Sequence, residues 1–94
     1  MQAAYRRNPT THMSEVEGDI FLVPDGGGEI FYLGDVGAGV WRLLDQERDA
    51  SALREILIDA FPYIPAEQIA KDVDQLLADL IAAELISVVG SGDG

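Results

Sequence analysis

A chain of 94 residues fits one domain and leaves no room for two. Its hydrophobic content of 48% supports a modest core, and the absence of cysteine excludes disulfides, thiolate chemistry and Cys-ligated zinc or iron–sulfur sites. Seventeen acidic residues against six basic ones give a formal net charge of −11, a surface that repels phosphate backbones and anionic membranes and attracts basic partners. On charge alone, the plainer reading is that acidity keeps a small domain in solution.

Residues 1–9 carry Arg6 and Arg7 but no apolar run after them, so they do not read as a signal peptide. They are expected to form a flexible arm, and the location expected for the chain is cytoplasmic. No stretch approaches the ~18 apolar residues of a membrane span. Two β-prone runs follow, DIFLV at 19–23 and EIFYL at 29–33. Between them Pro24-Asp25-Gly26-Gly27-Gly28 suits a hairpin loop. A weaker strand is expected near 11–16, ended by Gly18. Period two in EIFYL sets Glu29, Phe31 and Leu33 on one face and Ile30 and Tyr32 on the other.

The rest reads as helices. Asp35 is the expected N-cap of a first helix over 36–45. Its apolar stripe is Val36, Val40, Leu43 and Leu44, with Trp41 at the edge. Ser51 is the expected cap of a second helix, whose stripe is Leu53, Ile56, Leu57, Ala60 and Phe61. A third helix is expected from Pro65 to about Ala83, with Glu67 at its positive dipole end. Its stripe is Ile69, Val73, Leu76, Leu77, Leu80 and Ile81; its polar face holds Glu67, Lys71, Asp72, Asp74, Gln75 and Asp79. Residues 85–89 form either a short strand or an irregular apolar tail, and 90–94 a flexible end. Strands followed by helices indicate an α+β domain over residues 10–89.

Few residues invite chemistry. Gly34-Asp35-Val36-Gly37-Ala38-Gly39 opens a helix after a strand, but its GxxGxG spacing is not the dinucleotide GxGxxG, and no GK[ST] follows. It reads as a strand-to-helix turn with small residues for close packing. His12 is the single histidine, too little for a metal or triad site. Glu67, Asp72, Asp74 and Asp79 read as a solvated helix face, and Trp41 as core. The third helix offers one Lys and no Arg, which opposes a DNA-reading role. No catalytic residue, metal or cofactor is expected.

From residue 28 onward the chain resembles the PqqD-like family, the recognition elements for precursors of ribosomally made, post-translationally modified peptides. The residues that carry this are GEIFYLGDVGAGVWRLLD at 28–45, DASALREILIDAF at 49–61 and KDVDQLLADLIAAELI at 71–86. The family has, in this order, an aromatic strand with a Leu-Asn corner, a "vGa-x-iW-x-LL" helix and a "DV-x-x-hL-x-x-L-x-x-x-gLI" helix and exit. The likeness covers roughly residues 15–89. Gly34 departs from the family's Asn, and Glu84 stands where a Gly commonly ends the third helix, which disfavours a left-handed cap there.

The resemblance implies a winged-helix-like fold, a three-stranded antiparallel sheet packed on three helices. It implies a non-enzymatic module that captures the leader segment of a precursor peptide as an added strand and presents it to a modifying enzyme such as a radical SAM protein. The cleft would lie between the strand at 29–33 (Glu29, Ile30, Phe31, Tyr32 and Leu33) and the third helix (Ile69, Asp72, Val73 and Leu76). In the members that name the family, the client is the precursor of pyrroloquinoline quinone. The VGAGVW helix looks more like the broader family, which leaves the pathway open. The competing readings are a winged-helix transcription regulator and a non-catalytic subunit of a larger enzyme. Neither nucleic acid nor membrane is expected as a partner.

Overall fold

The computed structural model describes residues 3–26 and 28–89. Gly27 of the expected hairpin loop, the first two residues of the expected arm and the expected tail at 90–94 lie outside the described residues. In chain order the elements are β1 (Ala4–Arg7), β2 (His12–Val16), β3 (Asp19–Val23), β4 (Phe31–Leu33), α1 (Asp35–Leu43), β5 (Arg48–Asp49), α2 (Ala50–Ala60), α3 (Ala66–Ala82) and β6 (Ile86–Val89). The fold is α+β, with three helices and two three-stranded antiparallel sheets.

The first sheet has the order β2-β3-β4. Ile20 pairs with Leu33, Phe21 with Tyr32 and Leu22 with Phe31. Alternation places Ile20, Leu22 and Leu33 in the core and leaves Tyr32 exposed. The paired strand is shorter than the 29–33 run, because Gly26 and Gly28 take positive φ and Glu29 and Ile30 still belong to the loop's exit.

The second sheet, β5-β1-β6, is a departure from the single sheet expected. Its central strand is β1, inside the stretch expected to be a flexible arm. Ala4 through Arg7 pair with β6 from Val89 back to Ile86. The Arg7 guanidinium donates to the Trp41 carbonyl through Nε at 2.9 Å and Nη2 at 2.6 Å, and it stacks 4.9 Å from the centre of the indole ring. The sequence reading missed this because four residues without a turn signal carry almost no strand periodicity.

The core lies where the helices meet the first sheet. It joins Ile20, Leu22 and Leu33 to Val40, Trp41 and Leu44, to Leu53 and Leu57, and to Ile69, Val73, Leu77 and Leu80. Trp41, expected at the edge of its stripe, is only 2% exposed. Ile56 and Ala60, expected inside, are exposed, and Ile58 packs against the core from α2 instead. The glycines of GxxGxG do allow close approach: a Cβ at Gly39 would lie 2.7 Å from Leu57 Cδ2, and one at Gly37 3.2 Å from Leu33 Cβ.

Three helix ends differ from expectation. Gly34, not Asp35, is the N-cap of α1, and Asp35 sits in the first turn, where its charge meets the helix dipole. Asp49, not Ser51, caps α2 by accepting from the Ala52 amide at 2.8 Å; Asp49 is three residues before that amide, the reach a capping side chain needs. At the end of α3, Glu84 adopts the left-handed conformation, with φ 61°. The Leu85 amide donates to the Leu80 carbonyl at 2.9 Å and the Glu84 amide to that of Ile81 at 3.0 Å, the two bonds of a Schellman motif. The motif forms with Glu in the place that favours Gly, because burial of Leu85 and Ile86 requires the chain to reverse there. A side chain in this conformation costs ~1–2 kcal/mol, only partly offset by the greater unfolded-state entropy of Gly. Glu84→Gly is therefore expected to stabilise the domain by about 0.5 kcal/mol or more, read as a rise in the midpoint of urea unfolding at unchanged slope.

Candidate functional site

Helix α3 carries two adjacent stripes. Ile69, Val73, Leu77 and Leu80 are buried and anchor the helix in the core. Rotated one position back, Asp72, Leu76, Asp79 and Ala83 recur at the four- and three-residue spacing of a single face. Asp72, Leu76 and Ala83 are half-buried and Asp79 is exposed. This second stripe faces the strand β4, the edge of its sheet.

Between them are two clefts. The smaller, about 250 Å³, is walled by Tyr32 and Leu33 of β4, by Asp72 and Leu76 of α3, and by residues 34–37 at the start of α1. Gly37 is among its lining residues, and a Cβ there would lie 3.5 Å from Leu76 Cδ2. The larger, about 730 Å³, lies toward the other end of both elements and is bordered by Glu29, Phe31, Asp79 and Ala82 among others.

Of the nine residues the sequence nominated, four meet in the smaller cleft: Tyr32, Leu33, Asp72 and Leu76. Glu29 and Phe31 border the larger one. Ile30 is 65% exposed and walls neither. Ile69 and Val73 are 0% exposed, which corrects their assignment as contact residues: a partner cannot touch them without opening the core. The error has a simple cause. All six apolar positions of α3 were assigned to one broad stripe, whereas its centre is core and only its flank reaches the cleft. Sequence reasoning also missed Val36 and Gly37, although the Gly-rich turn was their signal.

The polar groups are held in place. Asp72 accepts from Gln68 Nε2 one turn earlier at 2.7 Å. The Tyr32 hydroxyl donates to Asp19 at 3.2 Å, and its ring tilts against Phe21 with centroids 5.4 Å apart. That hydrogen bond and the Asp19 charge raise the Tyr32 pKa above its ordinary value of 10.0, because the phenolate would lose the bond and face a carboxylate. Among the described residues, no group of three or more His, Asp or Glu side chains is placed to hold a metal ion, and no helix is long and apolar enough to cross a membrane. His12 is exposed and 3.9 Å from Asp25. The arrangement offers a strand edge that is unpaired among the described residues, an apolar notch and flanking carboxylates. These suit capture of an extended chain.

An alkaline titration followed by tyrosine ultraviolet absorbance should show a late-ionising component that is absent in Tyr32→Phe. In Asp19→Asn its midpoint is expected to fall back toward the ordinary value; an unchanged midpoint would remove Asp19 as the cause.

The family model for coenzyme PQQ synthesis protein D (PqqD) matches residues 19–86, from the first residue of β3 to the first of β6. No match was found among curated proteins or among solved structures. The match takes in β4, α1 and the whole of α3, the three elements that wall the smaller cleft, and on this ground the chain belongs to the PqqD family.

Proposed function

We propose that this protein is a peptide-binding adaptor that captures the leader segment of a ribosomally made precursor and presents it to a modifying enzyme, with no chemistry of its own. The observation that carries this reading is the edge of β4, unpaired among the described residues, beside the Asp72–Leu76 flank of α3. Backbone N–H and C=O groups of an edge strand give affinity that does not depend on sequence, and side-chain notches give specificity. The leader would lie along β4 as a fourth strand, with an apolar side chain against the half-buried Val36 and Leu76 and a polar neighbour near Asp72. The family description supports a role in synthesis of coenzyme PQQ. The client is either that precursor or another modified peptide, and the enzyme partner is of the radical SAM type or another peptide-modifying class. Such an adaptor works where precursors are made, in the cytoplasm.

The test is calorimetric titration with any short precursor peptide found encoded beside this gene and, in parallel, with a PQQ precursor. Leu76→Glu is expected to abolish binding, because it places a charge in the apolar notch. Asp72→Lys is expected to leave the melting temperature nearly unchanged and to weaken a leader with a basic residue by about 1 kcal/mol. Val73→Asp is uninformative, since Val73 is core and the variant is expected to unfold. Unchanged affinity in a folded Leu76→Glu variant would place the peptide elsewhere.

A further inference from the structure

The larger cleft lies farther along the same strand and the same helix. Asp79 follows Leu76 on the flank stripe by three residues, and Glu29 lies two residues before Phe31, in the loop that leads into β4. With Asp25 and Glu84 they place four carboxylates around an opening of about 730 Å³, while Phe31 and Ala82 give it apolar wall. The C-terminal end of α3 adds its negative dipole end to the same place. No lysine or arginine among the described residues pairs with any of the four; the arginine ion pairs, Arg42 with Glu15 and Arg54 with Asp74, lie elsewhere, and only the loosely placed His12 approaches Asp25. Acidity alone would not make this a site. Its position does, because a chain laid along β4 from the smaller cleft runs into it.

We propose that the larger cleft receives a Lys or Arg side chain of the captured peptide, on the C-terminal side of the segment that pairs with β4. This rests on the strand-addition reading given above and adds the partner's chemistry and polarity. Direction follows from geometry. β4 runs from the acidic cleft toward the smaller one, from Phe31 to Leu33. Its sheet is antiparallel throughout, and antiparallel pairing is the more stable per residue. An added antiparallel strand therefore runs the other way, from Leu76 toward Asp79 and Glu84. Leu33, at the smaller cleft, and Glu29, at the larger, are four positions apart in the chain, which also sets the spacing in the partner: an apolar residue in the notch, then a basic one about four positions later. A long basic side chain suits such a cleft, since its methylene stem can cover Phe31 and Ala82 while its charged end reaches the carboxylates.

Three labelled synthetic decapeptides test this by fluorescence anisotropy. All share one alternating Val/Thr frame with a single Leu. The first has two lysines four and five positions C-terminal to the Leu, the second has them N-terminal, and the third has glutamates in the C-terminal places. The first peptide is expected to bind about fivefold tighter than either other at low salt. The advantage should shrink to less than about twofold at high salt. It should also vanish in Glu29→Gln/Asp79→Asn/Glu84→Gln, whose exposed positions and place at the negative end of α3 mean that the substitutions should not lower the melting temperature. Leu76→Glu should remove binding of all three. Equal affinities that Leu76→Glu still abolishes would overturn this proposal and leave strand capture standing. A lysine preference that survives the triple variant would also overturn it. No Leu76-dependent binding of any peptide would overturn both.

Discussion

Everything in this fold depends on how α3 divides its apolar face. Ile69, Val73, Leu77 and Leu80 are withdrawn from water against the sheet and the other two helices. Each such side chain contributes ~1.5–3 kcal/mol relative to exposure. That burial fixes the rotation of the helix about its axis. Once it is fixed, Asp72, Leu76 and Asp79 have no choice of direction: they must flank the edge of β4. The cleft is thus a by-product of the core.

The second condition is a sheet edge that stands beside a groove. An edge strand is a hazard unless it is blunted. The β2 edge is exposed throughout and carries His12 and Glu15, the latter tied to Arg42 at 3.0 Å. The β4 edge has no such guard but has a walled groove beside it. Gly37 contributes by what it lacks, since a side chain there would crowd Leu33 and Leu76. Opposite it, Arg7 holds β1 to the carbonyl end of α1, which ties the second sheet to the helix whose start lines the groove.

Much of this was legible in the sequence. The alternation in DIFLV and EIFYL gave the hairpin and its inward residues, and the helical stripes placed three helices to within two residues at most ends. Asp72 and Leu76 were legible as groove residues because the resemblance named the helix and the polar edge of its stripe named the side. What was not legible has physical causes. Ile69 and Val73 look the same as Leu76 in a hydrophobic pattern; only the packing geometry separates the centre of a stripe from its flank. Asp49 and Ser51 are both good capping residues, and the choice between them follows from where β5 ends. Strand β1 depends on pairing with β6, about eighty residues away in the chain, and no local rule reaches that far. Glu84 is the plainest case: local preference opposed a left-handed residue, and the burial of Leu85 and Ile86 imposed it.

The central claim is that a peptide adds to the β4 edge. Amide hydrogen exchange, resolved by residue in the free protein and with the precursor leader bound, measures this most directly. Alternate amides along residues 29–33, solvent-directed in the free protein, should gain protection on binding, while β2 and the β5-β1-β6 sheet remain as they were. Protection gained along β2 or β6 instead, with residues 29–33 unchanged, would contradict the account.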